Sequence, residues 1–224
     1  MAKYRLTTNN LQRKGWQEVT NVISRERCDV ICLQECGKCT WEPAPGPGGL
    51  KTRKVGRDTW VYYGVDEHDG IDTLGIGVAA KSHLRSYHDI WDMDFATPKD
   101  LYEKRPLPYM VLENQLVVAS IHSKSMGTNS THLELLQGAL DEFVTDVRRK
   151  TMCNRVLIAG DFNYDGPGDI VNAAGLSYET GTQATQILGG ILDYCVFTKN
   201  ITVAYLQQQM GSADHCAVTF EVTV

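Results

Sequence analysis

Long apolar runs are absent from this chain, and so is any excess of positive charge. No stretch approaches the ~20 consecutive apolar residues of a membrane-crossing helix, so none reads as a span. The 22 Lys and Arg are outnumbered by 27 Asp and Glu, which leaves a net charge of −5 and a pI near 5.7. A protein coated in basic charge for nucleic-acid binding is thereby excluded. A phosphate-ester hydrolase is not, because a bound cation and one local basic patch can hold a phosphate. Met1-Ala2-Lys3-Tyr4 runs straight into strand-like sequence, so no signal peptide is expected in the chain.

A paired cysteine framework is missing too. The seven cysteines are an odd number. Cys28, Cys32 and Cys195 sit in or beside apolar runs and read as buried thiols. Cys36 and Cys39 form a C-G-K-C pair with no second pair to complete a zinc site. A disulfide between them in an oxidising compartment is preferred to zinc. Repeats, low-complexity segments and linkers are also absent. With 42% hydrophobic residues in 224, the chain reads as a single domain spanning 1–224.

What is present is a series of short β-prone runs with few helices. Tyr4 to Thr8 predicts a strand, Gly15 to Glu26 a helix with Trp16, Val19, Val22 and Ile23 on one face, and Asp29 to Gln34 a second strand. This β-α-β unit implies two parallel neighbours. Gly37 to Gly49, with three prolines, reads as a loop. Trp60 to Val65 and Gly75 to Ala80 predict strands flanking an acidic turn, and their aromatics predict core packing. Leu84 to Lys99 reads as irregular with an edge strand. Leu107 to Leu112 and Leu116 to Ile121 read as a hairpin around Glu113-Asn114. Thr131 to Val147 is the clearest helix, with Thr131 and Glu134 in capping-box spacing. A strand at Arg155, a short helix at Asp169 to Ala174, and strands at Ile191, Ile201 and Ala217 complete the chain. His68, His83, His88 and His132 fall outside every motif and read as surface residues.

Several apolar runs end on groups that carry chemistry. Arg155 to Asn163 reads R-V-L-I-A-G-D-F-N, a buried strand broken by Gly160 and followed by Asp161 and Asn163. Asp29 to Glu35 ends on Glu35, Leu116 to His122 on His122, and Ile191 to Phe197 carries Asp193. Asp214 and His215 precede the last apolar run. Singly, each reads as a solvated strand end. Gathered at one end of a sheet, where α/β folds place ligand sites, they form a hard-metal site.

The order N…Q-E…H…G-D-F-N…L-D-Y…D-H resembles the endonuclease/exonuclease/phosphatase superfamily of DNase I-like metal-dependent phosphoesterases, over nearly the whole chain. Within it, T-N-N-L-Q at Thr8 to Gln12, L-Q-E-C-G at Leu33 to Gly37, R-P-L at Arg105 to Leu107 and T-Q-I-L-G-G-I-L-D-Y ending at Tyr194 are most similar to the catalytic B subunits of cytolethal distending toxins. Asn9 and Ala213 stand where the family usually carries Trp and Ser. The resemblance implies an α/β four-layer sandwich of two mixed β-sheets flanked by helices. It implies metal binding by Asn10, Glu35 and Asp214, with Mg²⁺ as the cofactor and Mn²⁺ or Ca²⁺ as alternatives. Asp161 and Asn163 would orient the water and the phosphate. His215, held by Asp193, would be the acid/base, and His122 a second histidine on the phosphate. Arg105 is implied as a phosphate contact, and Lys124 lies nearby.

The resulting expectation is a Mg²⁺-dependent phosphodiesterase, an endonuclease with DNA as its partner, helped by the basic cluster Lys51, Arg53, Lys54 and Arg57. The alternative is a phosphatase of phosphoinositides or other phosphomonoesters on the same centre. A non-catalytic binding domain is disfavoured by the intact Glu35, Asp161, Asn163 and His215. The toxin resemblance also implies secretion, after removal of a signal, and partner subunits.

Overall fold

The computed structural model describes residues 1–36, 42–43, 50–69, 72–94, 104–125, 129–210 and 214–224. In chain order the elements are β1 (Lys3–Asn10), α1 (Trp16–Glu26), β2 (Val30–Cys36), β3 (Glu42–Pro43), β4 (Lys51–Val55), β5 (Asp58–Asp69), β6 (Asp72–Lys81), β7 (Arg85–Asp94), β8 (Lys104–Leu112), β9 (Leu116–His122), α2 (Ser130–Thr151), β10 (Arg155–Asp161), α3 (Pro167–Ala174), β11 (Ser177–Thr180), β12 (Asp193–Phe197), β13 (Thr202–Met210) and β14 (Cys216–Thr223).

They form two mixed sheets, ordered β13-β14-β1-β2-β6-β5-β4-β3 and β11-β12-β10-β9-β8-β7. Each sheet has one parallel pair, β1 with β2 and β9 with β10, joined through a helix. Period-two alternation sends one face of each sheet to a shared inner layer. Leu6, Val30, Cys32 and Val78 of the first sheet meet Val118, Leu157, Ala159 and Cys195 of the second. The outer face of the first sheet packs Ile31 and Leu33 against Trp16, Val19, Val22 and Ile23 of α1. The outer face of the second packs Val117, Val156 and Ile158 against Leu136, Leu140 and Phe143 of α2 and Ile170 of α3. The result is the expected four layers, helix, sheet, sheet and helix.

Several expectations need correction. Helix α2 starts at Ser130, and its cap is Asn129, whose Oδ1 accepts the His132 N–H at 2.8 Å; Thr131 lies inside the first turn. Asn129 has extended φ and ψ and a side chain suited to capping, so it takes the role that the Thr131–Glu134 spacing suggested. His132 is fully buried, not a surface residue, because it falls on the inward face of that turn. Arg85–Asp94 is the edge strand expected in this stretch, ten residues long with a register shift between Arg85 and Tyr87. Lys51–Val55 is a strand, although alternating basic residues on a sheet margin carry little apolar signal. The inferred C-G-K-C pairing involves Cys39, outside the described residues, as are Ala213 and most of the Gly37 to Gly49 segment.

Gly160 leaves no room for a side chain. A Cβ there would stand 1.9 Å from the Ile121 carbonyl oxygen of the neighbouring parallel strand. That contact is with backbone and cannot swing aside, so Gly160→Ala forces β9 and β10 apart. We expect a loss of about 3 kcal/mol, the upper end of over-packing costs, measured as a lowered denaturant midpoint with unchanged slope.

Candidate active site

The inner layer changes from apolar to polar at one end of the sandwich. Inner-facing positions of β1 run Leu6, Thr8, Asn10; those of β9 run Val118, Ser120, His122; those of β10 run Leu157, Ala159, Asp161. Strand β12 runs antiparallel to β10 and sets Asp193 opposite Asp161. The two sheets are pinned together just beneath this zone. Gln34 Nε2 donates to Ser120 Oγ at 2.8 Å, and Ser120 Oγ donates to the Leu33 carbonyl at 3.1 Å. All of these groups are fully buried, so the hydrogen bonds avert a desolvation cost of roughly 1–3 kcal/mol per group.

Alternation alone would send Gln34 inward and Glu35 outward. Between Leu33 and Cys36, however, β2 slips register against β6, three residues spanning two, and Glu35 has φ 47°. Such a bulge re-aims a side chain. Glu35 Oε1 accepts a hydrogen bond from Asn10 Nδ2 at 3.1 Å and lies 3.7 Å from His122 Nε2. The same Asn10 nitrogen donates to Asp161 Oδ2 at 3.1 Å. Asn10 Oδ1 accepts the Gln12 N–H, fixing the amide.

Asp161 is the centre of the group. Its Oδ1 accepts the Asn163 N–H at 2.9 Å. Its Oδ2 faces His122 Nε2 at 3.9 Å and His215 Nε2 at 3.7 Å. Asn163, at φ 48°, donates its side-chain N–H to the Ser123 carbonyl at 2.9 Å. His215 Nδ1 lies 2.7 Å from Asp193 Oδ2. Thr185 Oγ1 accepts the main-chain N–H groups of Leu192 and Asp193 and holds the start of β12. Asp214 is anchored by its N–H to Gln12 Oε1 at 3.0 Å, and its Oδ1 stands 3.7 Å from His215 Nε2.

Burial opposes protonation of His215, but the hydrogen bond and charge of Asp193, with Asp161 and Asp214 behind it, push the imidazole up to about 9. Burial raises the Asp193 carboxyl, against the pull of that same hydrogen bond. At neutral pH the pair is therefore an imidazolium on a buried carboxylate.

The donor set suits a hard cation. Glu35, Asp161 and Asp214 offer carboxylate oxygens, and buried Asp214 Oδ1 and Asp193 Oδ1 have no hydrogen-bond donor. The most tightly grouped ligand-type atoms are those of Asp161, Asp193 and His215, within 4.8 Å of one another. The last two are engaged with each other; Glu35 stands beside Asp161 through the shared Asn10 amide, whose Nδ2 rather than Oδ1 faces the two carboxylates.

The structure thus gathers Asn10, Glu35, His122, Asp161, Asn163, Asp193, Asp214 and His215 into one cluster. Arg105 is buried on β8, ahead of Tyr109, where the pairing with β9 ends at Ala119. Lys124 follows Ser123 directly. The cluster Lys51, Arg53, Lys54 and Arg57 is not part of the site. Arg53 is in register with Trp60 and Lys81, and Lys81 bonds to Asp29, at the opposite end of β2 from Glu35. Its guanidinium instead lies 4.9 Å over the Trp16 ring. Sequence reasoning gave no role to Ser120, Ser123 or Thr185, which are single hydroxyls without motif spacing.

A family model described as the endonuclease/exonuclease/phosphatase family matches residues 11–215. No curated protein sequence matches the chain. Among solved structures, the cytolethal distending toxin of Haemophilus ducreyi aligns with TM-score 0.68 and 17% identity, covering 97% of each chain. CdtB, the biologically active subunit of such a toxin, aligns with TM-score 0.65 and 18% identity, covering 98% of this chain and 97% of that one. The human nocturnin catalytic domain, solved with a bound sulfate anion, aligns with TM-score 0.65 and 14% identity over 99% and 93%. Likeness at these identities is one of fold.

The raised His215 has a measurable consequence for the metal-free protein. A histidine with ordinary value 6.5 that is raised in the fold stabilises fully below about 6.5, and this stabilisation is lost as pH climbs through about 9. In EDTA, the melting temperature should fall between those limits more steeply for the native protein than for His215→Asn. Parallel curves would show that the imidazole is not raised.

Proposed function

The chain belongs to the endonuclease/exonuclease/phosphatase family, and on that basis we propose that it is a divalent-metal-dependent phosphodiesterase that hydrolyses DNA one strand at a time. The observation carrying the reading is the convergence of Glu35, Asn10 and Asp161 with two histidines at one end of the inner layer. Similarity to the toxin B subunits in T-N-N-L-Q, L-Q-E-C-G and T-Q-I-L-G-G-I-L-D-Y supports DNA over a small phosphomonoester.

In this reading Glu35 and Asp214 would hold Mg²⁺, with Mn²⁺ or Ca²⁺ as substitutes, and Asn10 would join them through Oδ1 on turning its amide from the Gln12 N–H. The bound cation supplies positive charge to a phosphoryl oxygen and orients it. Asp161, its Oδ2 aimed by Asn10 and its Oδ1 held by the Asn163 N–H, receives the proton of the attacking water. Asn163, with its backbone N–H on Asp161 Oδ1 and a side-chain N–H on the Ser123 carbonyl, would orient the water and the phosphate. His215, with Nδ1 fixed by Asp193, keeps its Nε2 proton directed at the phosphate, where negative charge grows. His122 presents Nε2 from the facing strand. Arg105 and Lys124 bind the flanking phosphate.

The chain's net charge of −5 favours a second reading, a phosphatase of phosphoinositides on the same centre. Supercoiled plasmid and a phosphoinositide panel, assayed side by side with Mg²⁺, separate the two. We expect nicked circles before linear product, no activity in excess EDTA, and near-abolition by Glu35→Gln with the fold intact. His215→Ala should cost roughly 10²- to 10⁴-fold, the range of a general acid/base. Release of inorganic phosphate far faster than nicking would move the assignment to the phosphatase. Full activity in EDTA would remove the metal centre altogether.

A further inference from the structure

One buried titratable residue lies outside the machinery above. His132 has no exposed surface, although it sits in a helix whose inward stripe is otherwise apolar. Its backbone is fixed by the Asn129 cap, and its ring packs edge-on to Tyr164, with centroids 5.5 Å apart. Its Nε2 lies 3.2 Å from Ser123 Oγ. Ser123 in turn touches each residue of the D-F-N turn. Its N–H donates to the Asp161 carbonyl at 3.0 Å, its hydroxyl donates to the Phe162 carbonyl, and its carbonyl accepts the Asn163 side-chain N–H at 2.9 Å.

The proton positions follow from the donor inventory. The two carbonyl oxygens within reach of the Ser123 hydroxyl, those of Phe162 and Lys124, only accept, so its single proton points to a carbonyl. The ring nitrogen facing Ser123 Oγ must then carry its own proton, which makes His132 the Nε2–H tautomer. A buried polar ring is tolerated only where its hydrogen bonds are made. Asn163 sits at φ 48°, a left-handed conformation that asparagine enters more readily than most residues, and its side chain is fixed there by the Ser123 carbonyl.

We propose that His132 and Ser123 are positioning residues: His132 locks the Ser123 hydroxyl, and Ser123 locks Asp161 and Asn163 in the geometry that acts on the phosphate. This rests on the roles given to Asp161 and Asn163 above. It extends the site to the first turn of α2, which touches no substrate.

The test uses the full chain with Mg²⁺ and bis-p-nitrophenyl phosphate, well below the melting temperature of each variant. His132→Leu should lower kcat by about 10- to 100-fold, the usual cost of removing a supporting hydrogen bond, with KM changed by less than about two-fold. His132→Gln, whose Nε2 can donate at the same reach, should restore most of kcat. A purely structural histidine would instead lower the melting temperature and leave kcat per folded molecule unchanged. Unchanged kcat in His132→Leu, or His132→Gln no better than His132→Leu, overturns the proposal. Should His132→Leu not fold, Ser123→Ala carries the same expected loss, and unimpaired kcat there is equally fatal. Imidazole-nitrogen NMR gives a readout independent of turnover: His132 should be Nε2–H, and an Nδ1–H ring would overturn the proposal. If the native protein hydrolyses no phosphoester, the proposed function fails, and the NMR result still judges the Ser123 lock.

Discussion

Two carboxylates, Asp161 and Asp193, face each other across the β10–β12 ladder with 1% and 0% of their surface exposed. Like charges directly opposed in an antiparallel pair destabilise it, and burial removes the water that would screen them. Everything around them answers that repulsion. His215 takes Asp193 with Nδ1 and turns Nε2 toward Asp161; Asn10 takes Asp161 and ties it to Glu35. Compensation therefore recruits β1, β2 and the start of β14 from one sheet and β10 and β12 from the other. A cluster that concentrates carboxylates around one point, with two buried oxygens lacking donors, has a donor set that suits a cation.

The sandwich delivers those groups through repetition. Each sheet contains one parallel pair linked by a helix, and the two pairs face each other with their carboxyl ends pointing the same way. Antiparallel β12 and β14 begin where the parallel strands finish, so chain starts and chain ends supply the same rim. The Gln34–Ser120–Leu33 hydrogen bonds hold the sheets in register immediately below it. Two local departures from regularity complete the site. The β2 bulge turns Glu35 inward, and Gly160 lets β10 approach Ile121 closely.

In the proposed reading, phosphate chemistry and substrate choice occupy different parts of the molecule. The first sits at strand ends fixed by two packed sheets. The second depends on what rims them, because one fold carries many substrates. Lys124, directly after Ser123, lies on that rim. So does the turn carrying Ile187 and Leu188, which are largely exposed beside the segment where Gln186 pairs with His215. The basic residues of β4 stand toward the other end of the sheet.

By itself the sequence determined the period-two runs, the β-α-β unit, the face of α1 and the apolar stripe of α2, because these are local patterns of hydrophobicity. It also determined which strand ends carry carboxylate, amide and imidazole, since those residue types stand directly after apolar runs. Tertiary structure alone decided the rest. Capping of α2 by Asn129 depended on φ and ψ at one residue, and Lys51–Val55 became a strand because β5 lay beside it. His132 was buried by the packing of its turn against the second sheet. Glu35 points into the site only because the β2 bulge overrides alternation. Asp193 and His215, 22 positions apart, meet because β12 and β14 lie in different sheets stacked face to face, and a contact between sheets leaves no periodic mark on either strand.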